Sequence, residues 1–139
     1  MKKIVLIACC KSKGPTIARA RDLYIGSLFK YSLQYAETLR QDKIFILSAK
    51  YYLLDLERMI EPYEMTLNAF SVEERKEWGM RVIEQLSEIT SLTQDKFTIL
   101  AGQKYINPLR EFMTYIDEPL MSLRYGERLK FLKSKLGFN

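Results

Sequence analysis

Ile4-Val5-Leu6-Ile7-Ala8 runs straight into Cys9-Cys10-Lys11-Ser12-Lys13-Gly14-Pro15, and this passage from an apolar run to a lysine-bearing loop decides the fold. It recurs twice. Ile44-Phe45-Ile46-Leu47 passes into Ser48-Ala49-Lys50-Tyr51, and Phe97-Thr98-Ile99-Leu100 into Ala101-Gly102-Gln103-Lys104-Tyr105. Short runs rich in β-branched and aromatic residues read as strands buried on both faces, the pattern of a parallel sheet covered by helices. The carboxyl ends of such strands share one edge, where open α/β folds bind ligands. Three lysine-bearing exits on that edge predict a cationic crevice, and with it an anionic small-molecule ligand such as a nucleotide.

Outward from these runs, the predicted order is a strand over 3–9, a loop over 10–17, a helix over 18–40, a strand over 43–48 and an irregular segment over 49–70. A helix over 71–90, a strand over 96–101, a helix over 104–116 and a last helix over 124–136 follow. Leu23, Leu28, Tyr31, Tyr35 and Leu39 give the first helix an apolar stripe, which Gly26 weakens or kinks. Ser71-Val72-Glu73-Glu74 is a capping box. Behind it Trp78, Val82, Leu86 and Ile89 recur on one face, so Trp78 is expected in the core. A fourth short strand is expected near Leu120-Met121-Ser122-Leu123. The alternation predicts a single α/β domain over 1–139: a small three-layer Rossmann-like or flavodoxin-like sandwich on a mainly parallel sheet of three or four strands. No G-x-G-x-x-G or P-loop motif is present.

The chain has 139 residues, 47% hydrophobic and 28% charged, which suits a globular domain able to bury a core without staples. Its net charge of +5 permits nucleic-acid, nucleotide or membrane-surface partners without selecting one. There is no histidine, which removes Ser-His-Asp and Cys-His catalysis and every His-dependent metal set. The two cysteines are adjacent, pointing to opposite faces of a strand, and are too few for a thiolate zinc site. No metal or other cofactor is expected. No apolar run is long enough to cross a bilayer, so the expected location is the cytoplasm, with no membrane partner.

Each strand exit offers candidate chemistry. In the first loop Ser12 and Lys13 can grip a phosphate together with backbone N–H groups, and Cys9 is either a nucleophile or a small buried residue. After the second strand, Ser48 and Lys50 stand at the start of the long irregular segment that reaches Glu61-Pro62-Tyr63-Glu64. Tyr51 and Tyr63 present faces for a base, or plug the core under the loop. After the third strand, Gly102 allows close approach to the backbone, Gln103 can read a base edge, and Tyr105 can stack. An acid or base must come from Glu61, Glu64, Asp22 or a lysine of lowered pKa. The expected catalytic set is Lys50, Glu61 and Cys9. The C-terminal Arg124, Arg128, Lys130, Lys133 and Lys135 read as the solvated face of an amphipathic helix, with a phosphate-tracking stripe as the alternative.

Taken together, Cys9-x-x-x-Lys13, Ala20-x-Asp22-Leu23-Tyr24 with Ser27-Leu28-Phe29, Ile46-Leu47-Ser48-Ala49-Lys50-Tyr51, Pro62-Tyr63 with Leu67, Trp78 and Ala101-Gly102-x-x-Tyr105 resemble a family of short bacterial and phage proteins that is largely uncharacterised. That family usually has glycine where this chain has Tyr52, a departure that implies a partly filled or differently shaped pocket. The Cys-x-x-x-Lys and Pro-Tyr elements are also similar to the core domain of archaeosine synthase, which modifies a 7-deazaguanine base in transfer RNA. The histidine that closes the motif there is absent here. The resemblance implies a nucleobase-related ancestry and adds Tyr24, through its motif, to the expected ligand contacts. The expected function is a nucleotide- or nucleoside-directed enzyme acting at the glycosidic bond or base. The alternative is a noncatalytic nucleotide- or nucleic-acid-binding module.

Overall fold

The computed structural model describes residues 1–138. Its centre is β1 (Lys3–Ala8), paired in parallel with β3 (Lys43–Ser48) on one side and β6 (Lys96–Leu100) on the other. β7 (Tyr115–Asp117) adds in parallel to β6, and β4 (Tyr52–Asp55) adds antiparallel to β3. The sheet order is therefore β4-β3-β1-β6-β7. A separate two-stranded ribbon joins β2 (Ala18–Arg19) to β5 (Met59–Ile60).

Period-two alternation along the strands sorts the core into two layers. Ile4, Leu6, Phe45, Leu47, Phe97 and Ile99 face α3 (Val72–Ile89) and α4 (Gln103–Arg110). Val5, Ile7, Ile46 and Leu100 face the side that carries α2 (Ser27–Thr38) and α5 (Tyr125–Lys135). Helices on both faces of a mainly parallel sheet make the three-layer α/β sandwich that the apolar runs predict. Among the described residues no helix is long and apolar enough to cross a membrane.

The differences from the sequence reading have local causes. The predicted helix over 18–40 is divided into α1 (Ala20–Leu23) and α2. Between them Tyr24 pairs its backbone with Lys13, and the first loop is tied to the same junction by Gly14 N to Leu23 O and Ile25 N to Ser12 O. Tertiary hydrogen bonds thus claim the backbone that a continuous helix would use. The irregular segment over 49–70 contains β4, β5 and a 3-10 turn at Leu67–Ala69. α4 ends at Arg110, not 116, with Pro108 in its second half. The extra parallel strand is β7 at 115–117, whereas Leu120–Leu123 is a turn with Leu120 buried. Ile89, counted on the apolar face of α3, is exposed at the helix end.

Trp78 is buried as expected, and its indole N–H donates to the Ser48 carbonyl at 2.9 Å, tying α3 to the exit of β3. One turn position away, Gly79 lets α3 meet α4: a Cβ there would lie 2.6 Å from Pro108 Cβ and 2.8 Å from the Pro108 carbonyl oxygen. Alanine normally stabilises a helix interior relative to glycine by about 1 kcal/mol. Here the overlap with backbone outweighs that gain, so Gly79→Ala is expected to destabilise by about 1–3 kcal/mol, read from denaturant melts.

Tyr52 opens β4 in the left-handed region, with φ of 62°. That conformation is costly for a side chain and free for glycine. The Tyr52 ring packs toward the α3 core layer, and its hydroxyl accepts from Arg81 at 3.2 Å, so it shapes the turn and not a ligand pocket. Tyr52→Ala and Tyr52→Gly lose the same contacts, but only the second releases the backbone. Thermal melts are expected to place Tyr52→Gly above Tyr52→Ala by about 1 kcal/mol.

Candidate functional site

The chain leaves β1 toward β3 and later crosses to β6 on the opposite side, so the strand order reverses beside β1. Ligands of open α/β sheets sit outside the carboxyl ends at such a switch point. A cavity of about 560 Å³ opens there. Its floor is Ala8, Cys9 and Cys10 from the end of β1 and Leu100, Ala101 and Gly102 from the end of β6. Lys11, Gln103, Lys104 and Tyr105 come from the following loop and helix, Met65, Thr66 and Asn68 from the segment before α3, and Arg128 from α5.

The electrostatics of this cavity are one-sided. Lys11, Lys104 and Arg128 line it, and among the described residues no carboxylate does. Among the described residues every ion pair uses Arg19, Arg21 or Arg110, none of which lines the cavity. Arg128 is held instead by neutral groups: Nε donates to the Leu123 carbonyl at 2.8 Å and one terminal nitrogen to the Met121 carbonyl at 3.5 Å. Its charge is positioned without being neutralised. Gly102 makes room for it, since a Cβ there would lie 3.2 Å from both terminal guanidinium nitrogens. The expected close approach at Gly102 is thus made by the Arg128 side chain. Gly102 is also the N-cap of α4, whose side-chain-free cap leaves the helix's positive end at the cavity.

A second cluster flanks the cavity at the exit of β3. Ser48 is buried, and its Oγ accepts the backbone N–H groups of Lys50 at 3.3 Å and Tyr51 at 3.0 Å. With both lone pairs used, its own proton goes to Tyr63 Oη at 2.8 Å. Tyr63 then donates to Tyr24 Oη at 2.5 Å, and the Tyr24 hydroxyl proton is the open end of the chain. Lys13 Nζ lies 4.4 Å from the Tyr63 ring centroid and Lys50 Nζ 5.9 Å from it, so the two lysines meet at one aromatic ring. Arg58 rests on Tyr51 at 4.9 Å.

The sequence-predicted residues therefore divide. Cys9, Gly102, Gln103 and Tyr105 line the cavity, with Cys9 Sγ 3.4 Å from Tyr105 Oη. Lys13, Tyr24, Ser48, Lys50, Tyr51 and Tyr63 form the aromatic cluster beside it. Ser48, Tyr24 and Tyr63 are spent on internal hydrogen bonds and burial. Tyr105 stands edge-on to Trp78 at 5.7 Å. Ser12 is exposed and contributes its carbonyl to Ile25 and Cys10. Glu61 and Glu64 are exposed and do not line this cavity, and Asp22 is paired with Arg19 at 2.8 Å.

Arg128 was legible as one charge on a helix face, solvated or tracking phosphate; nothing in its spacing marks it as reaching the carboxyl edge. Thr66 and Asn68, in the segment read as irregular, carried no signal either.

The family of unknown function DUF6884 matches residues 4–134. The chain belongs to that family. No curated protein and no solved structure matches it. The match takes in all five strands of this DUF6884 sheet except Lys3, the first residue of β1, and the loops that frame the cavity.

Burial pushes the Tyr24, Tyr63 and Tyr105 phenols far above the ordinary value of 10.0, and proximity to a charge on Cys9 is the next cause in each. They remain neutral donors through the physiological range. Burial likewise raises the Cys10 thiol, which donates to the Ser12 carbonyl. In the unfolded chain the phenols ionise near 10 while the native state retains their protons, so the unfolded state binds fewer protons above that pH. Native stability is therefore intact below about pH 10 and falls above it, by about 1.4 kcal/mol per pH unit for each phenol. Urea melts across that range should show the fall, and Tyr63→Phe should reduce its slope.

Proposed function

We propose that this DUF6884 protein binds a nucleotide or nucleoside phosphate in the cavity between the ends of β1 and β6. The observation that carries this reading is the cavity lined by Lys11, Lys104 and Arg128, with no carboxylate among the described residues, at the switch point of the sheet. The start of α4 adds its dipole to the same place. Gln103, Thr66 and Asn68 supply both donors and acceptors for a base edge or sugar hydroxyl. The likeness of the Cys-x-x-x-Lys and Pro-Tyr elements to the archaeosine synthase core supports a nucleobase as the neutral part of the ligand.

The binding role leads because the carboxylates considered for acid–base work stand outside the cavity lining. A second reading, an enzyme acting at the glycosidic bond or base, is favoured by Cys9. Its sulfur lines the cavity and lies 3.4 Å from the Tyr105 hydroxyl, which holds a candidate nucleophile in place at the cavity floor.

Thermal-shift titration with nucleotides, nucleosides and 7-deazaguanines tests the site, since a ligand at 100 times its dissociation constant stabilises by about 2.7 kcal/mol. Lys11→Ala and Lys104→Ala are expected to abolish the shift with the fold intact, because both side chains are exposed. Lys50→Ala, outside the cavity, is expected to change it little. A flat screen with the native protein, or a shift indifferent to Lys104, overturns the assignment. Chromatography of the recovered ligand decides between the readings: an altered product that disappears in Cys9→Ser establishes the enzyme.

A further inference from the structure

Beside the first cavity lies a second, of about 310 Å³, between the start of α3 and α4. Gln103 and Lys104 line both, so they form a ridge between two adjoining hollows. The second hollow adds Arg75 and Lys76, and again no carboxylate lines it among the described residues. Arg75 is held in the same manner as Arg128: a terminal nitrogen donates to the neutral Phe70 carbonyl at 2.6 Å, which fixes the guanidinium without cancelling its charge. Among the described residues neither Arg75 nor Lys76 forms an ion pair. The first turn of α3 carries Glu73 and Glu74: Glu74 accepts from the Ser71 backbone N–H at 2.8 Å and is engaged in the helix cap, and Glu73 is exposed and does not line the hollow.

The phosphate of one nucleotide accounts for Lys11, Lys104 and Arg128 and leaves Arg75 and Lys76 without a partner. Two cationic hollows in tandem, with a lysine on the ridge they share, match an anion that repeats along a chain. We propose that the ligand is a single-stranded nucleic acid, with one nucleotide seated in the larger cavity and the next phosphodiester crossing Gln103 and Lys104 into the hollow between α3 and α4. This rests on the nucleotide reading above and narrows it from free nucleotides to a strand.

Fluorescence anisotropy with a fluorescein-labelled hexanucleotide, made as RNA and as DNA, tests it with a mononucleotide and a nucleoside triphosphate as competitors. The hexanucleotide is expected to bind at least ~10-fold more tightly than the mononucleotide, with an affinity that falls steeply with salt. Lys76→Gln, at an exposed position, is expected to weaken the hexanucleotide about 3- to 10-fold and to reduce the salt slope by about 0.7, the value for one single-strand phosphate contact. The mononucleotide should be unaffected by it. A mononucleotide as tight as the hexanucleotide, or Lys76→Gln without effect on the strand, overturns the proposal and leaves the nucleotide site standing. A triphosphate that matches the hexanucleotide and feels Lys76→Gln assigns the second hollow to a polyphosphate and also overturns it. Binding of neither strand nor nucleotide removes both readings. The RNA and DNA arms separate the two sources of the phosphodiester.

Discussion

β1 is hydrogen-bonded along both edges, to β3 and to β6, and Ile4 to Ile7 are buried in between. A strand paired on both sides and covered on both faces leaves its polar backbone no alternative to the parallel ladder. The ladder then fixes the rest. Alternate residues of β1 feed the two core layers, and its carboxyl end carries Cys9 and Cys10 into the gap where the chain's direction reverses. The cavity opens beside β1 where the strand order reverses, walled by Leu28 and Phe29 of α2 and by Arg128 of α5.

The edge around that gap shows two uses of positive charge. On the ribbon side, Arg19 and Arg21 are paired with Asp22, Glu37 and Glu57, where exposed ion pairs add little stability but cancel the local field. Around the cavities the arginines are anchored by carbonyl oxygens, and among the described residues the lysines form no ion pair. A carbonyl anchor holds a guanidinium in place while keeping its full charge for another partner. Like charges gathered this way repel one another, a cost that an incoming anion relieves.

Beside the cavity, Ser48 orders the tyrosine chain. Two backbone donors fill its acceptor positions, and this sets the direction of every hydrogen in the run to Tyr63 and Tyr24. Trp78 holds the same residue by its carbonyl. The turn after β3 is thus rigid, even though Tyr52 sits in a conformation that glycine adopts more easily. Lys13 and Lys50 lie against this rigid aromatic surface, which flanks the binding edge without forming its floor.

Much of the fold was legible because apolar runs report burial directly: three runs gave β1, β3 and β6, and the Ser71 capping box gave the start of α3. The shared edge of the three strand exits followed from parallel pairing alone, but of Lys13, Lys50 and Tyr105, expected there together, only Tyr105 lines the cavity, while Lys13 and Lys50 meet at Tyr63. Where local pattern and tertiary bonding competed, tertiary bonding won. Tyr24 and Ile25 left their helix to bond the first loop, and residues 52–55 became a strand because β3 offered an open edge. The division of the candidate residues between an open cavity and an aromatic cluster was likewise invisible, since strand exits fix where a residue starts but not where its side chain ends. Arg128 shows the limit most clearly: it is distant in sequence from every strand exit, and only the packing of α5 over α2 brings its guanidinium against Gly102. The sequence by itself determined the layers, the polarity of the sheet and the sign of the charge at its edge, because these depend on residue type and period. Tertiary structure alone decided which cations remain uncompensated, because that depends on which neutral or acidic group each one meets in space.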